Sequence, residues 1–370
     1  MSPSLSALAR VTGLVASLCC LPLLQAEAPK TPVDAPYRKP LGPVPFPTHG
    51  SIERLSPGLD VLLAPDARLE LLAGGFNWSE GPTWLPRENA IVFSDVPENR
   101  IFRWSDRDGL TVYLEPSGYT GHDLNHAEQG SNGLTTDRFG RLILCQHGDR
   151  RIVRLAGKKG ESGRFDTIVD RVGGRHFNSP NDLCYNANGD LYFTDPPYGL
   201  RDGNKSALKD LMFNGVYLLR AKTLHNPSPE PILVSSELTF PNGVALSPDG
   251  RTLYINVSDP ERPVIMAYPV LPDGLLGKGR VFFDTAPLLA KGRKGLPDGL
   301  KVDVDGNLWA TGPGGVLILS PMGRHLGTLL TGEATGNCGW GDDGSTLYIT
   351  ADAYLLRIRT LTKGYSPFVK

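Results

Sequence analysis

Apolar and polar positions alternate in short runs along most of the chain, and the runs recur in a fixed order. Six segments open on a polar residue, usually followed by glycine, and continue as strand, turn and strand. They are Glu80-Gly-Pro-Thr-Trp with Ala90–Asp95, Asn132-Gly-Leu-Thr-Thr with Gly140–Leu144, Asn181-Asp-Leu-Cys-Tyr with Gly189–Asp195, Asn242-Gly-Val-Ala-Leu with Gly250–Ile255, Asp298-Gly-Leu-Lys-Val with Gly306–Ala310, and Asn337-Cys-Gly-Trp with Gly344–Ile349. Their starts lie 52, 49, 61, 56 and 39 residues apart. Period-two alternation bounded by Gly, Asn and Asp marks half-buried strands, and turns such as Pro248-Asp-Gly250 or Asp342-Asp-Gly344 supply the positive φ that hairpins need.

Each unit then offers a third strand: Arg100–Trp104, Arg151–Leu155, Gly215–Arg220, Val264–Tyr268, Val316–Ser320 and Tyr354–Arg359. Five offer a fourth: Leu110–Leu114, Phe165–Val169, Ile232–Ser235, Arg280–Asp284 and Leu326–Leu330. The sixth unit lacks one, and a spare strand, Arg68–Ala73, precedes the first. Pairing the spare with the last unit gives an all-β, six-bladed β-propeller of four-stranded blades, closed by an N-terminal strand. Closure also removes the exposed edges of an open array. A two-sheet sandwich would leave the missing and spare strands unexplained.

Composition agrees with a turn-rich chain: 43 Gly and 32 Pro among 370 residues. Lys plus Arg is 38 and Asp plus Glu 39, a net charge of −1, which gives no basic face for nucleic acid or an anionic membrane. The first residues differ. One basic residue, Arg10, precedes the apolar run Val11–Leu24 and the small residues around Ala26, so residues 1–26 read as a secretory signal peptide too short to remain as a transmembrane segment. The expected location is exported, periplasmic or secreted. Residues 27–49 are proline-rich and read as a linker or arm, and residues 50–370 as the propeller. Cys145, Cys184 and Cys338 are an odd number in the mature chain. They read as small buried residues, with a Cys145–Cys184 bridge as the alternative.

In a propeller the first strand of each blade lines the central channel, so Glu80, Asn132, Asn181, Asn242, Asp298 and Asn337 are expected to meet there. Six converging oxygen-bearing side chains would be costly without a partner, and the two carboxylates would repel. A hard divalent cation resolves both: Ca²⁺ leads, with Mg²⁺, Mn²⁺ or Zn²⁺ as alternatives, and no His or Cys among these positions favours Zn²⁺.

Ser79-Glu80-Gly-Pro-Thr-Trp84, Asn178-Ser-Pro-Asn181-Asp182-Leu with Phe193-Thr-Asp195-Pro-Pro-Tyr-Gly199, Phe240-Pro-Asn242-Gly243-Val, and Pro297-Asp298-Gly299 with Asp305-Gly-Asn-Leu-Trp309 resemble the senescence-marker-protein/gluconolactonase/regucalcin family, in its bacterial gluconolactonase branch. The resemblance implies a divalent metal held by Glu80, Asn181, Asn242 and Asp298, and metal-dependent hydrolysis of a sugar lactone such as glucono-1,5-lactone. It implies Asp298 as the catalytic base. Asn132, His147 and Arg150 are the candidate substrate contacts, because Ser179 stands where animal sugar lactonases carry an Arg. Other readings are a hydrolase of other lactones or phosphoesters on the same site, or a non-catalytic binding propeller. The expected partner is a small sugar lactone; oligomeric state is left open. His122 and His126 read as loop residues, Lys291–Lys294 as a solvated basic loop, Asp195 as the support of a turn, and Tyr192, Tyr254, Trp309 and Tyr348 as core.

Overall fold

The computed structural model describes residues 46–121, 128–157, 165–224, 226 and 229–368. The expected signal peptide, most of the proline-rich arm, and His122 and His126 lie outside the described residues.

Six sheets form a ring of antiparallel blades. From the channel outward, blade 1 is Ser79–Leu85, Ala90–Asp95, Arg100–Ser105 and Gly109–Leu114; blade 2 is Ser131–Thr136, Leu142–Gln146, Arg151–Leu155 and Phe165–Val169. Blade 3 is Leu183–Tyr185, Leu191–Asp195, Gly215–Leu219 and Ile232–Ser235; blade 4 is Pro241–Leu246, Thr252–Val257, Val264–Pro269 and Arg280–Asp284. Blade 5 holds Leu300–Val302, Leu308–Gly312, Gly315–Leu319 and His325–Leu330, and blade 6 Asn337–Gly341, Thr346–Ala351 and Tyr354–Arg359. Each hairpin from first to second strand turns through a left-handed residue, Asn89, Gly140, Gly189, Gly250, Gly306 or Gly344, with φ between 47° and 93°, and the blade 6 hairpin adds Asp342 at 56°. That conformation is cheap for Gly and tolerable for Asn, which is why the repeats carry those residues there.

The fourth strand of blade 6 is Glu70–Gly74, paired antiparallel to Tyr354–Arg359 with Glu70 opposite Arg357. The two ends of the chain therefore close the ring within one sheet. An earlier segment, Ser51–Arg54, adds a fifth strand to blade 5 against His325–Leu330. Four residues flanked by prolines gave no sequence signal of a strand. Glu53 on this strand takes both guanidinium nitrogens of Arg293, at 2.7 and 3.0 Å. The basic loop 291–294, expected to be solvated, is thus partly tied down.

Six apolar clusters hold the ring, one at each junction between neighbouring blades. The closing junction packs Leu72, Ala73, Phe76, Tyr348 and Leu355 against Ile91, Phe93 and Phe102. Strands buried on both faces explain the near-continuous apolar runs of the second and third strands. Tyr192, Tyr254, Trp309 and Tyr348 are core residues, buried as expected. Cys145, Cys184 and Cys338 are free thiols in this packing.

Candidate active site

The first strands bring the repeat-start residues to the channel in register, and backbone hydrogen bonds between blades define that register. The amide of Gly133 donates to the carbonyl of Asn181 (2.7 Å), Gly243 to Asp298 (2.9 Å), and Gly299 to Gly336 (2.7 Å). Side chains near the end of the second strands add a further latch. Ser94 Oγ donates to the Asn132 carbonyl, Thr194 Oγ1 to Asn242, Asn256 Nδ2 to Asp298, and Thr311 Oγ1 to Gly336. The carbonyls of Asn132, Asn181, Asn242, Asp298 and Gly336 are thus committed to the preceding blade, which fixes the backbone of these ring positions.

The same pattern corrects one expectation. The residue of blade 6 equivalent to Asn181 is Gly336, not Asn337: both Asn181 and Gly336 donate their amides to the carbonyl of a second-strand Thr, Thr194 and Thr350. A Cβ at Gly336 would lie 2.5 Å from Glu80 Oε1. The sixth ring place is therefore empty of its own side chain and filled by the longer carboxylate from blade 1. The ring is Glu80, Asn132, Asn181, Asn242 and Asp298, with Glu80 leaning over Gly336.

Glu80, Asn132, Asn181 and Asn242 are buried, each 5% exposed or less, and Asp298 keeps part of its surface open to the channel. Glu80 Oε2 accepts the Gly81 amide at 3.0 Å. Burial, then the neighbouring Asp182 carboxylate, pushes the Glu80 pKa up to about 8. Burial, then Glu80, Asp182 and Glu128, holds Asp298 well above the usual carboxylate range. Among the described residues no Arg, Lys or His forms an ion pair with Glu80 or Asp298. Asn242 Nδ2 donates to Ser258 Oγ at 2.9 Å, leaving its Oδ1 as the acceptor end. Two buried, mutually repelling carboxylates flanked by amide oxygens form a donor set that fits a hard divalent cation.

The expected substrate contacts separate. Asn132 stays in the ring. His147 is fully buried; its Nδ1 meets the Pro180 carbonyl at 3.0 Å, so that nitrogen donates, and its Nε2 faces Glu128 Oε2 at 3.3 Å. Glu128, one-third exposed, is the polar group this pair presents to the channel, and its charge acts on both Glu80 and Asp298. Arg150 is turned elsewhere: its Nε donates to the Phe177 carbonyl at 2.6 Å and its terminal nitrogen lies 3.8 Å from Asp210. Ser179 is also turned away, with Oγ donating to the Pro196 carbonyl.

Tyr198 and Asp95 escaped the sequence reading, and Asp195 has a different role from the one expected. Tyr198 stacks on Phe240 (centroids 5.9 Å apart, 13° between planes), and its hydroxyl is buried without a hydrogen-bond partner among the described residues. Burial, then the Asp298 charge, raises its pKa, so the hydroxyl stays protonated. Asp95 and Asp195 end the second strands of blades 1 and 3. Asp95 accepts the amides of Asn77 and Trp78, and Asp195 those of Asn178 and Ser179. Asp195 therefore fixes the approach to Asn181 rather than the turn at Pro196-Pro197. The recurring Phe-(Ser/Thr)-Asp ending of these strands was the available signal.

The family model for the SMP-30/gluconolactonase/LRE-like region matches residues 78–353. The chain belongs to this family. It is 36% identical over 328 residues to a gluconolactonase of Zymomonas mobilis, covering 86% of this chain and 88% of that protein. A 6-deoxy-6-sulfogluconolactonase of Pseudomonas putida is 27% identical over 276 residues, 74% of this chain and 82% of the other. Among solved structures, a gluconolactonase of Xanthomonas campestris superposes with a TM-score of 0.73 at 30% identity, covering 86% of this chain and 99% of that one. In this member of the SMP-30/gluconolactonase family, Glu80, Asn132, Asn181, Asn242, Asp298 and Gly336 all lie within the matched span.

Proposed function

We propose that the chain is a sugar lactonase that opens aldonolactones such as glucono-1,5-lactone, with a divalent cation, Ca²⁺ first, held by Glu80, Asn181, Asn242 and Asp298. The observation that carries this reading is the pair of carboxylates, Glu80 and Asp298, that repel each other at the channel, with amide oxygens beside them and, among the described residues, no protein cation bonded to either. The activities named for the relatives from Zymomonas mobilis and Pseudomonas putida support the substrate class. When bound, such a cation supplies the positive charge that polarises a lactone carbonyl.

The chain's own residues do the rest. Asp298 takes the proton of the attacking water, because it is the one ring carboxylate that keeps part of its surface open to the channel. The water oxygen bonds to the carbonyl carbon, the ring ester bond breaks, and the departing sugar oxygen takes the proton that Asp298 had received from the water. Tyr198, with a protonated and unpartnered hydroxyl beside Asp298, donates to a substrate oxygen on which charge builds. Asn132 and Glu128 provide a donor and an acceptor for sugar hydroxyls, and the stacked Tyr198–Phe240 pair offers an apolar wall.

The test measures glucono-1,5-lactone hydrolysis above the spontaneous rate with chelated and Ca²⁺-replete protein. Glu80→Gln and Asp298→Asn should each lose on the order of 100-fold or more in rate while keeping the wild-type circular dichroism. Wild-type activity in either variant, or activity indifferent to chelation, removes the reading. We also take residues 1–26 as an export signal; fractionation of cells expressing the full chain should recover it outside the cytoplasm, and recovery in the cytoplasm counts against it.

A further inference from the structure

Directly below the ring, four of the six first strands carry glycine: Gly81, Gly133, Gly243 and Gly299. The other two carry side chains, Asp182 in blade 3 and Asn337 in blade 6. A Cβ at Gly133 would lie 2.7 Å from Asp182 Oδ1, and one at Gly299 2.0 Å from Asn337 Cγ. Each of these side chains therefore lies across the glycine of the preceding blade, and together they form a second layer under the ring. Both are held the same way, Asp182 Oδ1 by the Leu183 amide (2.8 Å) and Asn337 Oδ1 by the Cys338 amide (2.9 Å). Asp182 Oδ2 is buried with no hydrogen-bond partner among the described residues. The Lys301 ammonium, from two residues beyond Gly299, lies 3.8 Å from that oxygen, 3.4 Å from Asn337 Oδ1 and 3.1 Å from the Leu300 carbonyl. The Asn337 side chain also lies close enough to Glu80 and Asp182 to favour the charged form of both carboxylates, linking this layer to the ring above.

We propose that Lys301 is a built-in counter-cation, a positioning residue whose ammonium sits among oxygens of Asp182, Asn337 and Leu300 beneath the ring, balances Asp182, and so sets how strongly the ring holds a divalent ion. The proposal rests on the divalent-ion reading of the ring for its second half only. The physical ground is that a buried carboxylate without a partner costs several kcal/mol, whereas one facing a compact point charge on a flexible stem does not. Charges enclosed in a channel are also poorly screened by salt, so the balance between Asp182 and Lys301 is felt at Glu80.

The test is a charge-swap set of D182N, K301M and the double variant, with Ca²⁺ affinity measured by titration calorimetry on the chelator-stripped full chain. D182N leaves the ammonium unbalanced below the ring, and Ca²⁺ binding should weaken about tenfold or more, the order expected for one unit charge at channel distances. The double variant loses both charges and should return to within about threefold of wild type. A D182N affinity equal to wild type, or a double variant as weak as D182N, overturns the proposal. A second arm contains no metal. In chelator, K301A should melt below wild type and recover with added ammonium or methylammonium but not with the bulky tetramethylammonium. Recovery independent of amine size, or no recovery, overturns it as well. A wild-type chain that binds no Ca²⁺ refutes the ring reading alone, and the amine arm then decides the role of Lys301, as it does should D182N not fold.

Discussion

Replacing Glu80 by Gln should make the metal-free protein more stable at neutral pH, although the residue lies at the centre of the site. In the folded chain burial and Asp182 push the Glu80 pKa up to about 8, against an ordinary value of 4.5. A group whose folded pKa is raised binds its proton more tightly in the native state. Its contribution to stability is complete below about pH 4.5 and is lost as the pH rises through about 8. At pH 7 the loss is about 3 kcal/mol for Glu80 titrating alone, and smaller where Asp298 and Asp182 share the proton. Gln keeps the shape and the acceptor for the Gly81 amide, and carries no charge to bury. Urea denaturation in chelator, wild type against E80Q at pH 5 and pH 7.5, measures the difference. The two midpoints should nearly coincide at pH 5, with E80Q ahead at pH 7.5. Added Ca²⁺ should raise the wild type at pH 7.5 and leave E80Q almost unmoved. A pH-independent difference, or a wild type whose chelated stability is flat between these pH values, refutes the reasoning.

Thr194→Val removes the hydroxyl that donates to the Asn242 carbonyl (2.7 Å) and accepts from the Asp182 amide (3.2 Å) in a fully buried place. The expected cost is about 1–3 kcal/mol in the thermal or urea midpoint, with weaker Ca²⁺ binding by calorimetry, and an unchanged affinity would show that the latch does not set the ring. Gly336→Ala places a methyl against the Glu80 carboxylate, so it should lower Ca²⁺ affinity more than stability. Gly243→Ala meets the Asp298 carbonyl at 2.2 Å and should do the reverse, failing in the melting curve first. A chain begun at residue 46 should stay monodisperse by size exclusion, whereas one begun at residue 76 loses Glu70–Gly74, exposes the edge strand Tyr354–Arg359 and should aggregate.

The blades were legible because each strand obeys a two-residue period and each hairpin demands a left-handed residue, so strand limits read from the chain fall within a residue or two of those observed. The spare strand near Arg68–Ala73 was legible for a different reason: a closed ring leaves no unpaired edge, and the last blade lacked one. The strand at Ser51–Arg54 carries only pairing information, which four residues cannot encode alone. The sixth ring position failed by one place. The separation from ring residue to the latching second-strand position is 13 in blades 3 and 5 but 14 in blades 1 and 4, so Gly336 and Asn337 both satisfy the pattern. Only the hydrogen-bond partner of each amide separates them. Arg150 was expected to contact substrate, yet its Nε is taken by the Phe177 carbonyl, a partner that only the folded chain reveals.

That one-place shift changes the chemistry as well as the numbering. With Asn at the sixth ring place the ring would hold six side chains and no room for the longer Glu80. With glycine there, Glu80 spans the gap, and the amide moves down one step to face Asp182 and Lys301. The channel then holds two layers of opposite demand. The upper one gathers carboxylates that, among the described residues, have no protein cation, the feature on which the proposed ion site rests; the lower one brings its own ammonium. A repeat architecture produces this contrast with few changes, because the strand positions are already superposed by the ring. Substituting glycine by Asp182 or Asn337 at one step, and a ring side chain by Gly336 at the step above, is enough to make adjacent layers of one channel chemically different.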